Sequence, residues 1–138
     1  MPDFTAFVTS PATTAASSDA IAAAAQCLDR FTAAFNDRDF AGMDAQLHFP
    51  HVMLSGAECL VWDGPGRHPP DLFATLERTG WASTRYEEKV PVLATAGKVH
   101  FAVTYTRRDD AGRVLGEHRN LWVVTLVAGK WGIALRSY

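Results

Sequence analysis

The sequence lacks the features that define several large classes of protein. It has two cysteines, too few for a disulfide framework, and no apolar run approaches the roughly 18 residues that span a bilayer. Like charges form no run longer than a pair and the formal net charge is −2, so neither nucleic acid nor a membrane surface is expected as a partner. No glycine-rich phosphate loop follows a strand, and no cofactor is expected.

The chain is predicted to be one cytoplasmic domain. Its N-terminus has no basic region followed by an apolar core, as a secretory signal would. Cys27 and Cys59 lie among apolar residues and are predicted to be small buried side chains in a reducing compartment. Residues 1–18, rich in Ala, Thr, Ser and Pro, are predicted to form a flexible leader, and residues 19–138 a single domain.

Amphipathic helices are predicted in the first half of the domain. After Ser18 or Asp19, either of which can cap a helix, apolar residues recur at three- and four-residue spacing. Pro50 is expected to end a second, shorter helix, because it has no N–H to donate. The predicted helices span residues 19–36, 40–47 and 71–79.

The remaining segments are rich in β-branched and aromatic residues, which is typical of strands. Pro91 cannot donate to a ladder and predicts a bulge or an edge position. In the next strand, Val99, Phe101, Val103 and Tyr105 share one face. The predicted strands span residues 52–55, 58–62, 83–94, 99–108, 119–127 and 130–137.

The last two strands, with a tight turn at Ala128-Gly129, are expected to form the middle of the sheet. Apolar side chains occupy both faces of this hairpin, so both faces need cover. Helices are expected on one face, and a second subunit, reached through Trp122 and Val124, on the other. The residues expected to alternate into the core are Trp131, Ile133 and Leu135.

Three stretches carry a resemblance to a known superfamily. They are AAFNDRDFAGMDAQL at the corner of the first two helices, HFPHVMLSG into the first strand, and GKWGIALRSY at the end. In these stretches and in its order of elements, the chain resembles the nuclear transport factor 2-like superfamily of ketosteroid isomerases, scytalone dehydratases, limonene epoxide hydrolases and SnoaL-like polyketide cyclases. The resemblance implies a cystatin-like α+β fold, in which a cone-shaped, strongly curved mixed or antiparallel sheet carries three N-terminal helices on its concave face.

The catalytic residues of these enzymes are not matched throughout. The tyrosine that serves ketosteroid isomerases as an oxyanion donor corresponds to Phe31, and their general-base aspartate falls near Ser55. No strand alternates Asp and Arg in the manner of the epoxide hydrolases, and the His and Tyr of scytalone dehydratases cannot be matched. Because this fold hosts many activities, the resemblance does not specify one.

The resemblance also implies a pocket inside the cone for a small apolar or amphipathic molecule, with aromatic walls and few polar groups. Arg119 either pairs with Glu88 or Glu117 or faces an anionic group of the ligand. The tryptophans fit the core or an interface at least as well as a ligand site. The candidate ligand-binding residues are His48, His51, Trp62, Trp81, Tyr105 and Arg119.

His48 and His51 are also the candidate catalytic residues, because histidine titrates near neutral pH and can transfer protons. Alternatively, they cap the broken helix end or bond within the loop. A metal pair is not expected, because Pro50 removes the helical spacing and no nearby carboxylate or Cys completes a site.

Three classes of function fit the sequence, in decreasing order. The first is a small-molecule-binding SnoaL-like domain without assigned chemistry. The second is a cofactor-independent lyase or isomerase, with His48 or His51 as acid or base and Tyr105 or Arg119 as the oxyanion partner. The third is an interaction module whose outer sheet face forms a homodimer.

Overall fold

The structure is a computed structural model that describes residues 3–10, 12 and 14–138. It has the predicted α+β architecture, with helices preceding and interrupting a six-stranded sheet. The helices are α1 (Phe4–Val8), α2 (Ser18–Asn36), α3 (Phe40–Asp44) and α4 (Leu72–Glu77). The strands are β1 (Leu47–Ser55), β2 (Glu58–Trp62), β3 (Ser83–Thr95), β4 (Lys98–Arg108), β5 (Val114–Val127) and β6 (Lys130–Ser137).

The long helix α2 is the amphipathic helix that the apolar spacing predicts. It begins one residue earlier than expected, because Ser17 accepts a hydrogen bond from the N–H of Ala20 and caps it. Its apolar stripe contacts β3, β5 and β6. The buried residues of this stripe are Ala24, Cys27, Leu28 and Phe31.

The strand order is β2-β1-β6-β5-β4-β3, so the β5–β6 hairpin lies in the middle, as predicted. Neighbouring strands are antiparallel except β1 and β6, which are parallel, and the sheet is therefore mixed. Ala128 and Gly129 have φ angles of 50° and 76°, as a tight hairpin turn requires. Pro91 lies on the edge strand β3 beside a register shift, which confirms its prediction.

Cross-strand pairs divide the sheet into an inner face against the helices and an outer face. Trp122 pairs with Phe101 and meets Phe31 of α2 edge-on, with 5.5 Å between ring centroids. Val124 is buried in the same core cluster. The expectation that Trp122 and Val124 face a second subunit is therefore wrong, because the helices cover them. On the same strand, Leu121 and Val123 face outward.

A bulge in β6 changes which side chains reach the core. The register shifts at Ala134, which lies between the paired residues Ile133 and Leu135. Beyond it, Leu135 faces outward and Arg136, paired with Trp122, faces inward. The prediction that Leu135 shares a face with Ile133 is wrong, because one additional residue exchanges the two faces.

The strand β1 begins earlier than predicted and takes the place of the end of the second helix. Pro50 lies within β1, in the segment between Leu47 and Val52 where the register against β6 shifts. The sheet therefore does not require a backbone N–H from Pro50. His48 and His51 therefore lie on a strand and not at a helix exit.

The segment before α2 reaches the far edge of the sheet. Ala15 forms a bridge with Thr95, and the carbonyl of Thr14 accepts from the N–H of Ala96. α1, at residues 4–8, buries none of its side chains. The flexibility predicted for residues 1–18 stays a prediction, and residues 1, 2, 11 and 13 lie outside the described part of the chain.

Of the two cysteines, one occupies the predicted environment. Cys27 is buried, but Cys59 is exposed, because it lies on the edge strand β2. Across the described ranges, no helix combines the length and the apolar character needed to cross a membrane. The cytoplasmic location stays a prediction.

Candidate ligand-binding pocket

A pocket lies between the C-terminal half of α2 and the sheet. The cavity has a volume of about 60 Å³. This is room for a few water molecules or for one end of a small ligand. Its apolar walls are aromatic and pack around Trp122, whose ring centroid lies 5.5 Å from that of Phe31 and 6.1 Å from that of Tyr86. Tyr138, which is 47% exposed, also lines the pocket and reaches solvent.

The charge of the pocket lining is entirely positive. Arg107 and Arg136 line it, and no Asp or Glu does. Burial raises the pKa of Tyr86 and of Tyr105, so both phenols keep their protons at neutral pH. The polar groups of the pocket can therefore donate hydrogen bonds to an acceptor.

Arg136 is 6% exposed, and its hydrogen-bond partners are uncharged. Its Nε donates to His51 Nε2 at 3.0 Å, and its two Nη atoms contact the hydroxyl of Tyr138 at 3.0 Å and the sulfur of Met53 at 3.2 Å. The guanidinium carbon lies 5.0 Å from the ring centroid of Phe31. Within the described part of the chain, no salt bridge includes Arg136.

His51 accepts a hydrogen bond from this guanidinium. Its Nδ1 lies 2.9 Å from the carbonyl oxygen of Ile133 and so carries the hydrogen, while Nε2 accepts from Arg136. Burial, and next the charge of Arg136, lower the pKa of His51 to about 4. His51 is neutral at pH 7 and both ring nitrogens are engaged, which makes it unsuited to act as a general base.

A buried donor of the pocket wall has no partner. Trp122 is 5% exposed, and its indole Nε1 lacks a hydrogen-bond partner among the described residues. An unpaired buried N–H is costly, because it has lost its hydrogen bonds to water. This N–H is enclosed within the wall and does not reach the cavity.

No family model matches the chain, and no curated protein matches it in sequence. Solved structures do match. A cystatin-like protein of unknown function from Nostoc punctiforme has a TM-score of 0.72 at 12% identity, over 90% of this chain and 92% of that one. Aln2 from a Streptomyces species has a TM-score of 0.66 at 18% identity, over 90% and 92%. A nuclear transport factor 2-like protein of unknown function from Pseudomonas putida gives 0.63 at 15%, over 88% and 87%.

The chain has the nuclear transport factor 2-like fold. At these identities the likeness shows the fold alone, and the site has to be argued from its own residues.

Within this fold, the pocket contains one of the predicted site residues. Tyr105 lines it and accepts a hydrogen bond from Asn120 Nδ2 at 3.0 Å, which leaves its hydroxyl hydrogen free to donate. His51 lies one hydrogen bond behind the pocket, through Arg136. The ligand-binding roles of these residues stay predictions.

The two tryptophans of the prediction lie in or against the core. Trp81 is buried between Phe35 and Phe73, and its Nε1 donates to the hydroxyl of Thr84 at 2.9 Å. Trp62 packs on the opposite side of His51 from the pocket wall residues, with 6.1 Å between its ring centroid and that of His51. Neither residue lines the pocket.

His48 and Arg119 lie away from the pocket. His48 Nε2 contacts the carbonyl oxygens of Thr125 and Lys130 at 3.1 and 2.9 Å, and its ring covers Gly132. A Cβ atom on Gly132 would lie 2.7 Å from His48 Cδ2, so the ring needs a glycine there. Arg119 pairs with Thr104 on the outer face.

A second buried polar cluster joins a loop to α3. His68 Nε2 lies 2.9 Å from Asp44 Oδ1, and the N–H of Gly66 donates to Asp44 Oδ2 at 2.9 Å. The ring of His68 stacks on Phe40. Over residues 3–10, 12 and 14–138, no group of three or more His, Cys, Asp or Glu side chains could hold a metal ion.

Proposed function

We propose that the chain is a small-molecule-binding domain of the SnoaL-like type, whose ligand enters the pocket between α2 and the sheet. The cavity between α2 and the sheet, whose apolar walls are aromatic, is the observation that carries this proposal. Aromatic rings with a few fixed polar groups are typical of small-molecule sites. The pocket accommodates one end of the ligand, and the rest extends past Tyr138 to solvent.

The alternative of a lyase or isomerase with a histidine base has less support. The lone pair of His51 accepts from Arg136, and His48 lies outside the pocket. Because a general base must reach the proton that it removes, neither imidazole fits this role in the present arrangement.

Filling the pocket tests the binding function. Thr32 lines the pocket, and Thr32→Trp would occupy it, whereas Gln26→Trp on the exposed side of α2 is the matched control. Phenol and indole serve as neutral probes, with thermal unfolding as the measurement. At ten times its Kd, a probe should raise the Tm of the wild type and of Gln26→Trp by about 4 °C. No shift with either probe, or an equal shift in Thr32→Trp, would contradict the proposal.

We also propose that the outer sheet face forms a homodimer, because it is apolar and its charges are self-complementary. Val90, Val92 and Leu93 are 38%, 56% and 52% exposed. Glu88 and Arg119 lie on either side of Thr104, and no salt bridge joins them in the described part of the chain. A two-fold axis through this face would place each glutamate against the arginine of the second copy.

Charge reversal tests this arrangement. Glu88→Arg and Arg119→Glu should each weaken the dimer, and the double variant should restore it, as measured by sedimentation velocity. Val92→Glu should yield a folded monomer. A wild type that stays monomeric at high concentration would contradict the dimer.

A further inference from the structure

The pocket has an excess of hydrogen-bond donors that its own residues do not satisfy. A guanidinium has five N–H groups, and three of those on Arg136 contact His51, Tyr138 and Met53. Two N–H groups are left without a partner among the described residues. Tyr105, which also lines the pocket, adds a hydroxyl hydrogen.

The charge of Arg136 is also without a counter-ion. The geometry of His51 fixes its neutral tautomer, because Nδ1 faces a carbonyl oxygen and Nε2 faces a guanidinium N–H. A phenol and a thioether complete the set of contacts. Burying a cation among neutral groups is unfavourable unless an anion joins it.

Four of the other arginines form a salt bridge among the described residues. Arg108, although less buried, lies 2.8 Å from the carboxylate of Glu87. Arg113 lies 2.9 Å from that of Asp109. Arg136 has the more buried position and lacks the carboxylate, which indicates that the missing anion belongs to the ligand.

We propose that Arg136, with the hydroxyl of Tyr105, binds the carboxylate of a small acid that has an aromatic or other apolar body. A carboxylate offers two oxygens in one plane and can accept from the fork of a guanidinium. Its body would lie against Phe31 and Tyr86. Arg107, also in the lining, attracts the anion towards the pocket. This inference rests on the proposed binding function and adds the chemical class of its ligand.

The competing explanation is that Arg136 is only a structural cation in an aromatic cage. Its guanidinium carbon lies 5.0 Å from the ring centroid of Phe31, 5.7 Å from that of Trp122 and 5.9 Å from that of Tyr138. Cation–π contacts offset part of the cost of burial. They do not pair the remaining N–H groups of Arg136, whereas a carboxylate in the pocket would.

Benzoate and benzamide separate the two explanations. They have the same ring and similar shape but differ in charge, so calorimetric titration of the wild type isolates the contribution of the carboxylate. We expect benzoate to bind at least tenfold more tightly than benzamide. Benzoate should also shift the indole N–H resonance of Trp122, which a Trp122→Phe spectrum assigns. Equal affinities, or tighter binding of phenylphosphonate than of benzoate, would overturn the proposal.

Variants of the protein test whether Arg136 causes the preference for benzoate over benzamide. Arg136→Met should abolish the preference for benzoate over benzamide, while Arg108→Met, outside the pocket, should keep it. If Arg136→Met does not fold, Arg136→Lys and the comparison of ligands on the wild type still decide the question. A preference that survives in Arg136→Met or Arg136→Lys unchanged would overturn the assignment to Arg136.

The outcomes also separate this inference from the proposed function. If phenol, indole and benzamide bind and benzoate is no tighter, the binding function stands and the carboxylate class fails. If none of the probes binds, both fail.

Discussion

Two buried histidines lie on either side of Trp62, and their partners have opposite charge. The ring centroid of Trp62 is 4.8 Å from that of His68 and 6.1 Å from that of His51. His68 is paired with the carboxylate of Asp44 at 2.9 Å, whereas His51 faces the guanidinium of Arg136 at 3.0 Å. The carboxylate of Asp44 is hydrogen-bonded within its own cluster, whereas the guanidinium of Arg136 meets no carboxylate among the described residues.

This difference distinguishes a structural cluster from a binding site. Asp44 accepts from both His68 and Gly66 and so ties a loop to α3 with its hydrogen-bonding capacity used internally. His51 and Arg136 leave a positive charge and free donors facing a cavity. The first arrangement is complete as it stands, and the second is completed by an anion from outside.

The largest expected effect is an acid-dependent loss of stability on the His51 side. The folded-state pKa of His51, about 4, lies below the value of 6.5 for a free imidazole. Between these two pH values the unfolded chain therefore binds more protons than the folded chain. The contribution of His51 to the free energy of unfolding is complete above pH 6.5 and is lost as the pH falls towards 4. The loss should amount to about 3 kcal/mol. Urea unfolding between pH 4 and 7.5 measures it.

The matched variant for this prediction is His51→Gln, which keeps a polar side chain without a titrating group. It should be less stable than the wild type at pH 7 and should lose most of the acid dependence. Burial also lowers the pKa of His68. A smaller loss of stability with falling pH should therefore persist in His51→Gln. Parallel pH profiles in wild type and variant would show that His51 does not control acid sensitivity.

Most elements of the fold could be predicted because their patterns are long and regular. The α2 stripe repeats over five turns, and the alternation of Val99 to Tyr105 places all four of its apolar residues in the core. The β5–β6 hairpin follows from its turn residues. Two of the errors occur where the register shifts, between Leu47 and Val52 in β1 and at Ala134 in β6.

The candidate site was harder to predict, because β5 is apolar on both faces and the sequence does not show which face meets the helices. A pocket role for Arg119 requires its face of β5 to be the inner one, but Arg119 lies on the outer face. Arg136 was missed, because regular alternation from Ile133 does not reveal the bulge that turns it inward. A single charged residue after the apolar run IAL was the available signal.

A smaller effect is expected on the His68 side. In Asp44→Asn, the amide NH₂ would face either His68 or the N–H of Gly66, so at least one hydrogen bond of this cluster is lost. The free energy of unfolding should fall by about 2 kcal/mol. Asp71→Asn is the matched control, since Asp71 is exposed and its side chain makes no capping bond. Equal stability of the two variants would mean that the cluster does not secure the loop.

The smallest expected effect is that of removing the charge of Arg136. Methionine retains much of the length and apolar stem of arginine, and replacing a buried charge that lacks a counter-ion relieves its desolvation. The lost contacts with His51 and the aromatic rings act in the opposite direction. Arg136→Met should therefore change the free energy of unfolding by less than about 1 kcal/mol, as measured by urea unfolding at pH 7. A loss of about 3 kcal/mol or more, as expected when one partner of a satisfied buried ion pair is removed, would make Arg136 a structural residue like Asp44 and would remove the distinction between the two clusters.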